Sequence, residues 1–278
     1  MEIAFTYSGQ PRDIQESWGN HRKYLLKPLL ENGHSIDIFC HFWHDEEKVG
    51  KEYVENSKSL GVVKEDIPMF VSENLKPVKA VFEKPRYFQN IKYLADSRFP
   101  HPVERTLSMF ASWYEVMKIY SEYEKDNGKN YDLVFRLRTD LIFFNKITEI
   151  NKLNSSKMYL LNNYRHLDYG VDDTFAISGS EGMKKYYSIT DSLDELLKNG
   201  AAFNPETLLG FYLCNYLNLD IEKIDFRVHL FRGSYLKFNR NRLIGELMLQ
   251  IYLKVTKFRK KFRKKFRKKF RKKFRKKF

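Results

Sequence analysis

The last 22 residues of this chain repeat one unit, KFRK, and contain 16 Lys or Arg residues, 6 Phe residues and no acid. The whole chain has a formal net charge of +15, so removing those 16 positive charges leaves residues 1–256 at −1. The basic character therefore belongs to a C-terminal tail. The rest of the chain is a nearly neutral body, and the two parts pose separate questions.

The body is long enough for one sizeable α/β domain with a substantial core, and its aromatic residues are many. Cys40 and Cys214 both lie in apolar runs and give no disulfide framework, which favours a reducing compartment. No basic stretch followed by an apolar run opens the chain, and no stretch reaches the ~18–20 apolar residues of a membrane span. We therefore expect an unprocessed cytoplasmic protein.

The first elements are well marked. Residues 3–7 predict a strand that ends in the turn SGQPR, residues 8–12. Residues 14–31 predict a helix, and residues 35–42 a second strand. A strand, a helix and a strand in this order indicate a right-handed crossover and a parallel pair.

The later elements continue the alternation. Residues 104–125 predict a helix that ends before Gly128, whereas residues 45–100 are charged, broken by Pro and hard to assign. Asn204-Pro205-Glu206 is typical of a helix start, with Asn as the N-cap. Strands are predicted over residues 131–144, 158–161 and 174–178. The pattern predicts a layered α/β domain over residues 1–240 and an amphipathic helix running into the basic tail over residues 241–278.

The turn SGQPR is the first candidate site, because ligands of open α/β sheets bind beyond the carboxyl ends of the strands. Gly9 admits a close backbone approach, and Arg12 supplies a forked cation for a phosphate. Ser8, Gly9, Gln10 and Arg12 are therefore candidate nucleotide contacts. An ordinary βα turn with a surface Arg explains the same residues.

The segment Arg136-Leu137-Arg138-Thr139-Asp140 is the second candidate. In a continuous strand, Arg136, Arg138 and Asp140 project from the same side. A carboxylate between two guanidiniums could bind a diphosphate, with Asp140 holding a divalent ion and an Arg offsetting the charge of the leaving group. The alternative is an ion-pair ladder on an edge strand, which the apolar residues on both sides disfavour.

Three acids and two histidines complete the candidates. Asp172 and Asp173 precede a short strand and could provide a general base or bind an acceptor hydroxyl, although neighbouring acids in a loop are often only solvated. Glu206 is a first-turn acid that either complements the helix dipole or points into the cleft. His41 and His44 beside an Asp suggest zinc, but no third ligand follows at a recognisable spacing. A strand end lining the cleft, with the apolar face of a Trp, explains that segment better.

Six stretches follow one another within residues 1–220: the strand into SGQPR, then DIFCHFW, RTLSMFASWYEVMKIYSEYE, YDLVFRLRTDLIF, DDTFAIS and NPETLL. In this order they resemble the glycosyltransferases encoded in bacterial surface-polysaccharide (lipopolysaccharide or capsule) clusters. The resemblance omits residues 45–100 and the tail.

The resemblance implies a GT-A-like, Rossmann-like fold with a mixed, mostly parallel sheet, and a nucleotide-diphosphate sugar as donor. It implies that the first turn contacts the nucleotide, that Arg105 and Ser108 face the donor, and that Asp140 takes the place of the acid that binds Mn²⁺ or Mg²⁺. Asp173 becomes the candidate base or acceptor contact. The usual DxD motif has two acids, whereas RTD has one and is preceded by Arg138, which could do part of the cation's work.

The tail continues an apolar pattern in which Leu243, Leu247, Ile251 and Val255 recur every four residues. Periodic aromatics among Lys and Arg are typical of a helix on an anionic membrane, at ~1 kcal/mol per basic residue near the surface. Nucleic acid or another polyanion is the rival partner, although the body shows no nucleic-acid-binding motif. A repeat tract without a selected function is the third reading. The candidate membrane contacts are Lys257, Phe258, Arg259, Phe262, Phe266 and Phe270.

We therefore expect a peripheral membrane glycosyltransferase that acts on a lipid-linked or polysaccharide acceptor at the inner membrane surface. The alternative is a non-catalytic cationic protein that binds a membrane or a polyanion and uses the α/β body as a scaffold.

Overall fold

A computed structural model provides the structure of this chain. It describes residues 1–53, 62–86, 88, 93–95, 102–162, 170–231 and no others. The predicted amphipathic helix and the KFRK repeat lie outside the described residues. The predicted boundary at residue 240, and every membrane contact proposed for the tail, therefore stay predictions.

The main element is a seven-stranded sheet in the order β3-β2-β1-β4-β7-β6-β8. Strands β1 to β4 are parallel, β7 is antiparallel to both β4 and β6, and β8 is parallel to β6. A two-stranded antiparallel ribbon joins β5 to β9. The strands are β1 (Glu2–Gly9), β2 (Ser35–Trp43), β3 (Lys79–Glu83), β4 (Leu133–Leu137), β5 (Leu141–Phe143), β6 (Met158–Leu161), β7 (Ala176–Ser178), β8 (Ile221–Ile224) and β9 (Val228–Leu230).

Helices cover both faces of this sheet. The predicted helix at residues 14–31 is helical throughout, because α1 passes through a π-helical turn (Arg22–Leu26) into α2. The other irregular helical turns are Glu46–Lys48, Val71–Leu75, Ile150–Lys152, Ser188–Ser192 and Phe211–Tyr216. The α-helices are α1 (Ile14–His21), α2 (Lys27–Glu31), α3 (Ile67–Phe70), α4 (Val103–Asn127), α5 (Ser180–Tyr187), α6 (Leu193–Lys198) and α7 (Pro205–Gly210).

Alternation along β4 builds two hydrophobic cores. Val134 packs with Trp113 in the core under α4 and α5, whereas Leu133 and Phe135 pack with Trp18 in the core under α1. Successive side chains of a strand point to opposite faces, so a strand buried on both faces is mostly apolar, and Arg136 is the one charged residue of β4. The predicted mixed, mostly parallel sheet flanked by helices is confirmed.

Two predicted helix ends are also confirmed. Gly128 ends α4 in the left-handed conformation with φ 60°, which glycine adopts without steric cost. The side chain of Asn204 accepts a hydrogen bond from the backbone N–H of Thr207, and Pro205 opens α7. None of the helices among the described residues has the length and apolar character that crossing a membrane requires.

The predicted strand at residues 131–144 is wrong in one respect. It divides into β4 in the main sheet and β5 in the ribbon, and Thr139 and Asp140 form a turn between them. The hydroxyl of Thr139 donates to the carbonyl of Gln10 at 3.2 Å, and the backbone N–H of Phe231 donates to the carbonyl of Asp140 at 2.6 Å. These long-range bonds, which no local pattern reveals, turn the chain out of the sheet.

Candidate functional site

The candidate residues gather at one edge of the sheet. Strands β1, β2 and β4 are parallel, so their carboxyl ends share that edge. Strand β7 is antiparallel to β4, with Ala176 opposite Arg136, and this pairing places the start of β7 there too. The turn after β1, the turn after β4 and the segment before β7 are therefore neighbours, although residues 12 and 172 are far apart in sequence.

The turn after β1 is held by its own side chains. Gly9 has φ 101°, a conformation that residues with a Cβ rarely adopt. The Nε of Arg12 donates to the side-chain oxygen of Gln10 at 2.7 Å, and the Nη2 of Arg12 also donates to that oxygen. Asp13 follows in a left-handed conformation, and burial, followed by the charges of Glu16 and Asp140, raises its pKa to about 6.

A chain of hydrogen bonds connects this turn to β3. The backbone N–H of Gly9 donates to Oγ of Ser112 at 2.7 Å, and Ser112 Oγ lies 2.7 Å from Nδ1 of His41. The other ring nitrogen of His41 lies 2.8 Å from a carboxylate oxygen of Glu83. A carboxylate only accepts, so Nε2 carries a proton, and burial lowers the pKa of His41, which favours a neutral ring. The Ser112 hydroxyl then donates to Nδ1, with the carbonyl of His41, 3.3 Å away, as its other acceptor. Every polar atom of this buried chain thus has a partner.

The position of Ser112 shows where Arg105 and Ser108, the two residues of α4 predicted to contact the sugar donor, lie. Ser108 and Arg105 precede it by four and seven residues, so all three lie along one face of the helix. Arg105 is exposed and Ser108 is half-buried. The N–H of Gly9 at the end of β1 meets Ser112, and the indole of Trp43 at the end of β2 meets the carbonyl of Ser108, so the start of α4 lies at the carboxyl edge of the sheet. Contact of Arg105 and Ser108 with a donor stays a prediction.

The segment HFWHD has a different role from the one predicted. Trp43 is 2 % exposed, and its indole N–H donates to the carbonyl of Ser108 at 3.2 Å. The ring therefore anchors α4 and does not offer its face to a cleft. The Nε2 of His44 lies 3.0 Å from the carbonyl of Lys64, so His44 is engaged away from His41.

Arg138 and Asp140 form a paired turn after β4. The Nε and Nη2 of Arg138 each donate to one carboxylate oxygen of Asp140, both at 2.8 Å. Burial by itself lowers the pKa of Arg138, but Asp140, Asp173 and Asp172 together raise it above its usual range. The prediction that Arg136, Arg138 and Asp140 lie along one continuous strand is therefore wrong.

Three more acids surround this pair. Burial raises the pKa of Asp172 and the charge of Asp173 adds to the effect, while hydrogen bonds from Thr174 oppose it. Burial, followed by the charges of Asp173 and Asp172, raises the pKa of Glu206 to about 7. The backbone N–H of Val171 donates to the carbonyl of Glu206 at 3.2 Å, which ties the start of α7 to this segment. Glu206 is therefore part of the acidic cluster.

Arg136 lies apart from that pair, inside the core. Its side chain is 2 % exposed, and its guanidinium carbon lies 4.3 Å from the centre of the Trp113 ring and 6.0 Å from that of Tyr186. Two of its nitrogens, Nε and Nη1, have no hydrogen-bond partner among the described residues. The two arginines of the RLRTD segment therefore have different environments.

A divalent cation fits this arrangement poorly. Both oxygens of Asp140 accept hydrogen bonds from Arg138, and the described residues contain no group of three or more His, Cys, Asp or Glu side chains placed to hold a metal. Metal binding by Asp140 stays a prediction. We derive no chemical step through a cation.

Sequence reasoning did not identify Ser112, Trp113 or Tyr186. A signal for Ser112 was present, because the helical period that connects Arg105 to Ser108 continues to residue 112. Trp113 and Tyr186 have the pattern of ordinary core aromatics, and only the position of Arg136 distinguishes them.

No protein-family profile matches this chain, and no curated protein matches it well enough to count as a relative. Among solved structures it is similar to mouse xyloside xylosyltransferase 1, at 11% identity over 81% of this chain and 86% of that one, with a TM-score of 0.42. Two crystal structures of the glycosyltransferase GlyE of Streptococcus pneumoniae are similar at 11% and 13% identity, with TM-scores of 0.37 and 0.36. The match covers 80% of this chain but only 44% and 45% of the GlyE chains. The function proposed below is based on the residues of the site.

Proposed function

We propose that this protein is a glycosyltransferase that moves a sugar from a nucleotide-diphosphate donor to an acceptor hydroxyl. The observation that carries the proposal is the convergence of Arg12, the Arg138–Asp140 pair, the Asp172–Asp173 segment and Glu206 at the carboxyl edge of the sheet. Guanidiniums suit a diphosphate, and carboxylates of unequal pKa suit proton transfer.

The reaction assigns a task to each group. The bond between the anomeric carbon and the diphosphate oxygen breaks, and its electron pair leaves with the diphosphate. Arg138 and Arg12 stabilise the charge that develops there. The acceptor oxygen bonds to the anomeric carbon, and its proton passes to a carboxylate, for which Asp173 and Glu206 are the candidates. Positioning by the β1 turn and α4 supplies the rest.

The proposals for the acceptor and for the cellular location rest on the sequence. The resemblance to surface-polysaccharide enzymes supports a lipid-linked, lipopolysaccharide or capsule acceptor. The 16 basic residues and six Phe of the tail support a position on the cytoplasmic face of the inner membrane. A divalent cation bound by Asp140 stays a prediction from the sequence, and no step of the proposed reaction depends on it.

A thermal-shift screen of UDP-, GDP-, CDP- and dTDP-sugars, with and without Mn²⁺, tests the donor. We expect at least one donor to raise the melting temperature, and Asp173→Asn to reduce its turnover by at least about a hundredfold with little change in folding. Asp220→Asn is the matched control, because Asp220 is an exposed partner of Lys157 outside the site. If no donor binds or turns over, the protein is not this enzyme, and vesicle binding alone would favour the non-catalytic alternative.

Deleting residues 257–278 tests the tail. We expect the truncated protein to lose binding to anionic phosphatidylglycerol vesicles and to keep its hydrolysis of a soluble nucleotide sugar. Loss of hydrolysis in the truncated protein would contradict the separation of tail and body.

A further inference from the structure

The chain of hydrogen bonds from Glu83 to Gly9 contains a ring whose hydrogen-bonding role depends on its protonation. That ring belongs to His41, which is 1 % exposed and lies 2.7 Å from Oγ of Ser112 through its Nδ1. A neutral imidazole with its proton on Nε2 accepts at Nδ1, whereas a charged imidazole donates from both nitrogens. Protonation of His41 therefore reverses the bond between His41 and Ser112.

Partners are present for both states of the ring. In the neutral state the Ser112 hydroxyl donates to Nδ1, and its oxygen accepts the N–H of Gly9 at 2.7 Å. In the charged state Nδ1–H donates to that oxygen, and the Ser112 hydroxyl turns to the carbonyl of His41, 3.3 Å away. A hydroxyl oxygen has two lone pairs, so it can accept from His41 and Gly9 together. The reversal needs only a rotation of the hydroxyl hydrogen.

The charges around His41 are two carboxylates and one guanidinium. Nε2 lies 2.8 Å from the carboxylate of Glu83 at the end of β3, and Glu115 of α4 also favours the charged ring. Arg86 pairs with both acids and disfavours it, while Ser8, opposite His41 on β1, is uncharged. Burial is the largest effect and lowers the pKa of His41, but the two acids oppose that shift. The net negative setting keeps a cationic ring accessible.

The reversal changes how firmly the turn after β1 is held. A hydroxyl that donates is a better acceptor, because hydrogen bonds in a chain polarise one another. The neutral ring therefore strengthens the bond from Gly9, whereas the charged ring competes with Gly9 for the same oxygen. Gly9 has φ 101° and is followed by Gln10 and Arg12, so this bond anchors the turn that carries the candidate nucleotide contacts.

We propose that His41 is a positioning residue that makes the anchor of the β1 turn sensitive to pH. Uptake of one proton from solvent at Nδ1 reverses the bond to Ser112 and weakens the bond from the N–H of Gly9. The turn is held most firmly when the ring is neutral.

His21 provides an internal contrast. It is also buried, but its ring nitrogens lie 2.9 Å from the hydroxyl of Tyr7 and 2.7 Å from the carbonyl of Leu141. Neither of these partners is a carboxylate, and burial lowers the pKa of His21 to about 4. His21 should therefore stay neutral over the pH range in which His41 titrates.

Nuclear magnetic resonance of the full chain, with ¹⁵N-labelled Gly and His and without ligand, tests the proposal. Between about pH 8 and about pH 5 we expect the ring nitrogens of His41 to change from the Nε2–H tautomer to the charged form. The amide proton of Gly9 should move upfield with the same midpoint, because its hydrogen bond weakens. The ring of His21 should not change.

Two variants and one control make the test specific. Glu83→Gln keeps an acceptor for Nε2–H but removes its charge, so both midpoints should move to lower pH by about 1 unit. Glu122→Gln is the control, because Glu122 is an exposed partner of Lys79 ten residues beyond Ser112 on α4, and it should move neither midpoint. In His41→Asn, which keeps an amide oxygen for Ser112 and cannot titrate, the Gly9 shift should not depend on pH.

Three results would overturn the proposal. The first is a His41 ring that titrates while Gly9 does not follow. The second is a pH dependence of Gly9 that survives in His41→Asn, and the third is a ring that stays neutral until the protein unfolds. No nucleotide sugar takes part in the measurement, so its outcome is independent of whether the proposed transferase activity is found.

Discussion

The two arginines of the RLRTD segment are two residues apart and have opposite environments. Arg138 follows β4 and gives two hydrogen bonds to Asp140. Arg136 lies in β4 and stacks on Trp113, and two of its nitrogens have no hydrogen-bond partner in the part of the chain that the structure describes. The comparison teaches that equal spacing in sequence does not mean equal function. Two arginines with the same spacing can therefore differ in burial, in hydrogen bonding and in the groups around them.

Asp140→Asn should produce the largest effect and tests the paired side of the comparison. Removing one partner of a mostly buried pair leaves the other charge uncompensated, so we expect the free energy of unfolding to fall by about 3 kcal/mol. Urea denaturation measures it.

The double variant Arg138→Met with Asp140→Asn is the control for that measurement, and Arg138→Met alone completes the cycle. Because it removes both charges, we expect it to recover most of the stability that Asp140→Asn loses. If the two sites behave additively in this cycle, Arg138 and Asp140 are not an energetic pair and the comparison fails.

Ser112→Ala tests a second fully paired group. The substitution leaves the N–H of Gly9 and Nδ1 of His41 buried without partners, so we expect a loss of about 2 kcal/mol in the free energy of unfolding. It should also weaken donor binding, because the β1 turn loses its anchor.

Ser108→Ala is the matched control on the same face of α4. Among the described residues, Ser108 is engaged through its backbone carbonyl, by Trp43, and the substitution keeps that carbonyl, so we expect unchanged stability. Equal losses from both serine variants would show that helix packing, and not the Ser112 hydrogen bonds, is responsible.

The sequence predicted the layers of this fold well because the signals for its helices and strands come from residues close together in the chain. The helix at residues 14–31 and the strand β2 have strong periodic patterns and clear ends, such as Gly33 after α2. The parallel pairing of β1 with β2 follows from the length of the crossover between them. These features depend on residues near each other in the chain.

The sequence could predict which residues belong to the candidate site, but not which of them contact one another. The pairing of Arg138 with Asp140 depends on a turn held by Gln10 and Phe231, which are distant in sequence. The stacking of Arg136 on Trp113 depends on how α4 packs over β4. Glu206 lies near Asp172 and Asp173 because the start of α7 is hydrogen-bonded to Val171. Such contacts are set by the tertiary fold, and a single sequence has no local record of them.

Glu206→Gln should produce a smaller effect that depends on pH. Glu206 has its pKa raised to about 7, so the folded protein holds this proton more tightly than the unfolded chain does. Its contribution to stability is complete below the ordinary pKa of Glu and is lost as the pH rises through about 7. We therefore expect the melting temperature of the variant, minus that of the wild type, to rise by about 2 °C from pH 5 to pH 8. A constant difference would separate Glu206 from the acids around Arg138.

Arg136→Met should have the smallest effect on stability. It gives the most direct test of the difference between Arg136 and Arg138. The variant loses a cation–π contact worth about 1–2 kcal/mol, but it also removes a buried charge, two of whose nitrogens lack hydrogen-bond partners among the described residues. These terms oppose each other, so we expect the free energy of unfolding, measured without ligand, to stay within about 1 kcal/mol of the wild-type value. Arg138→Met, which strands the carboxylate of Asp140, should cost about 3 kcal/mol under the same conditions. A loss of that size at Arg136 would mean that its charge is compensated inside the protein as fully as that of Arg138, and the contrast between the two arginines would fail.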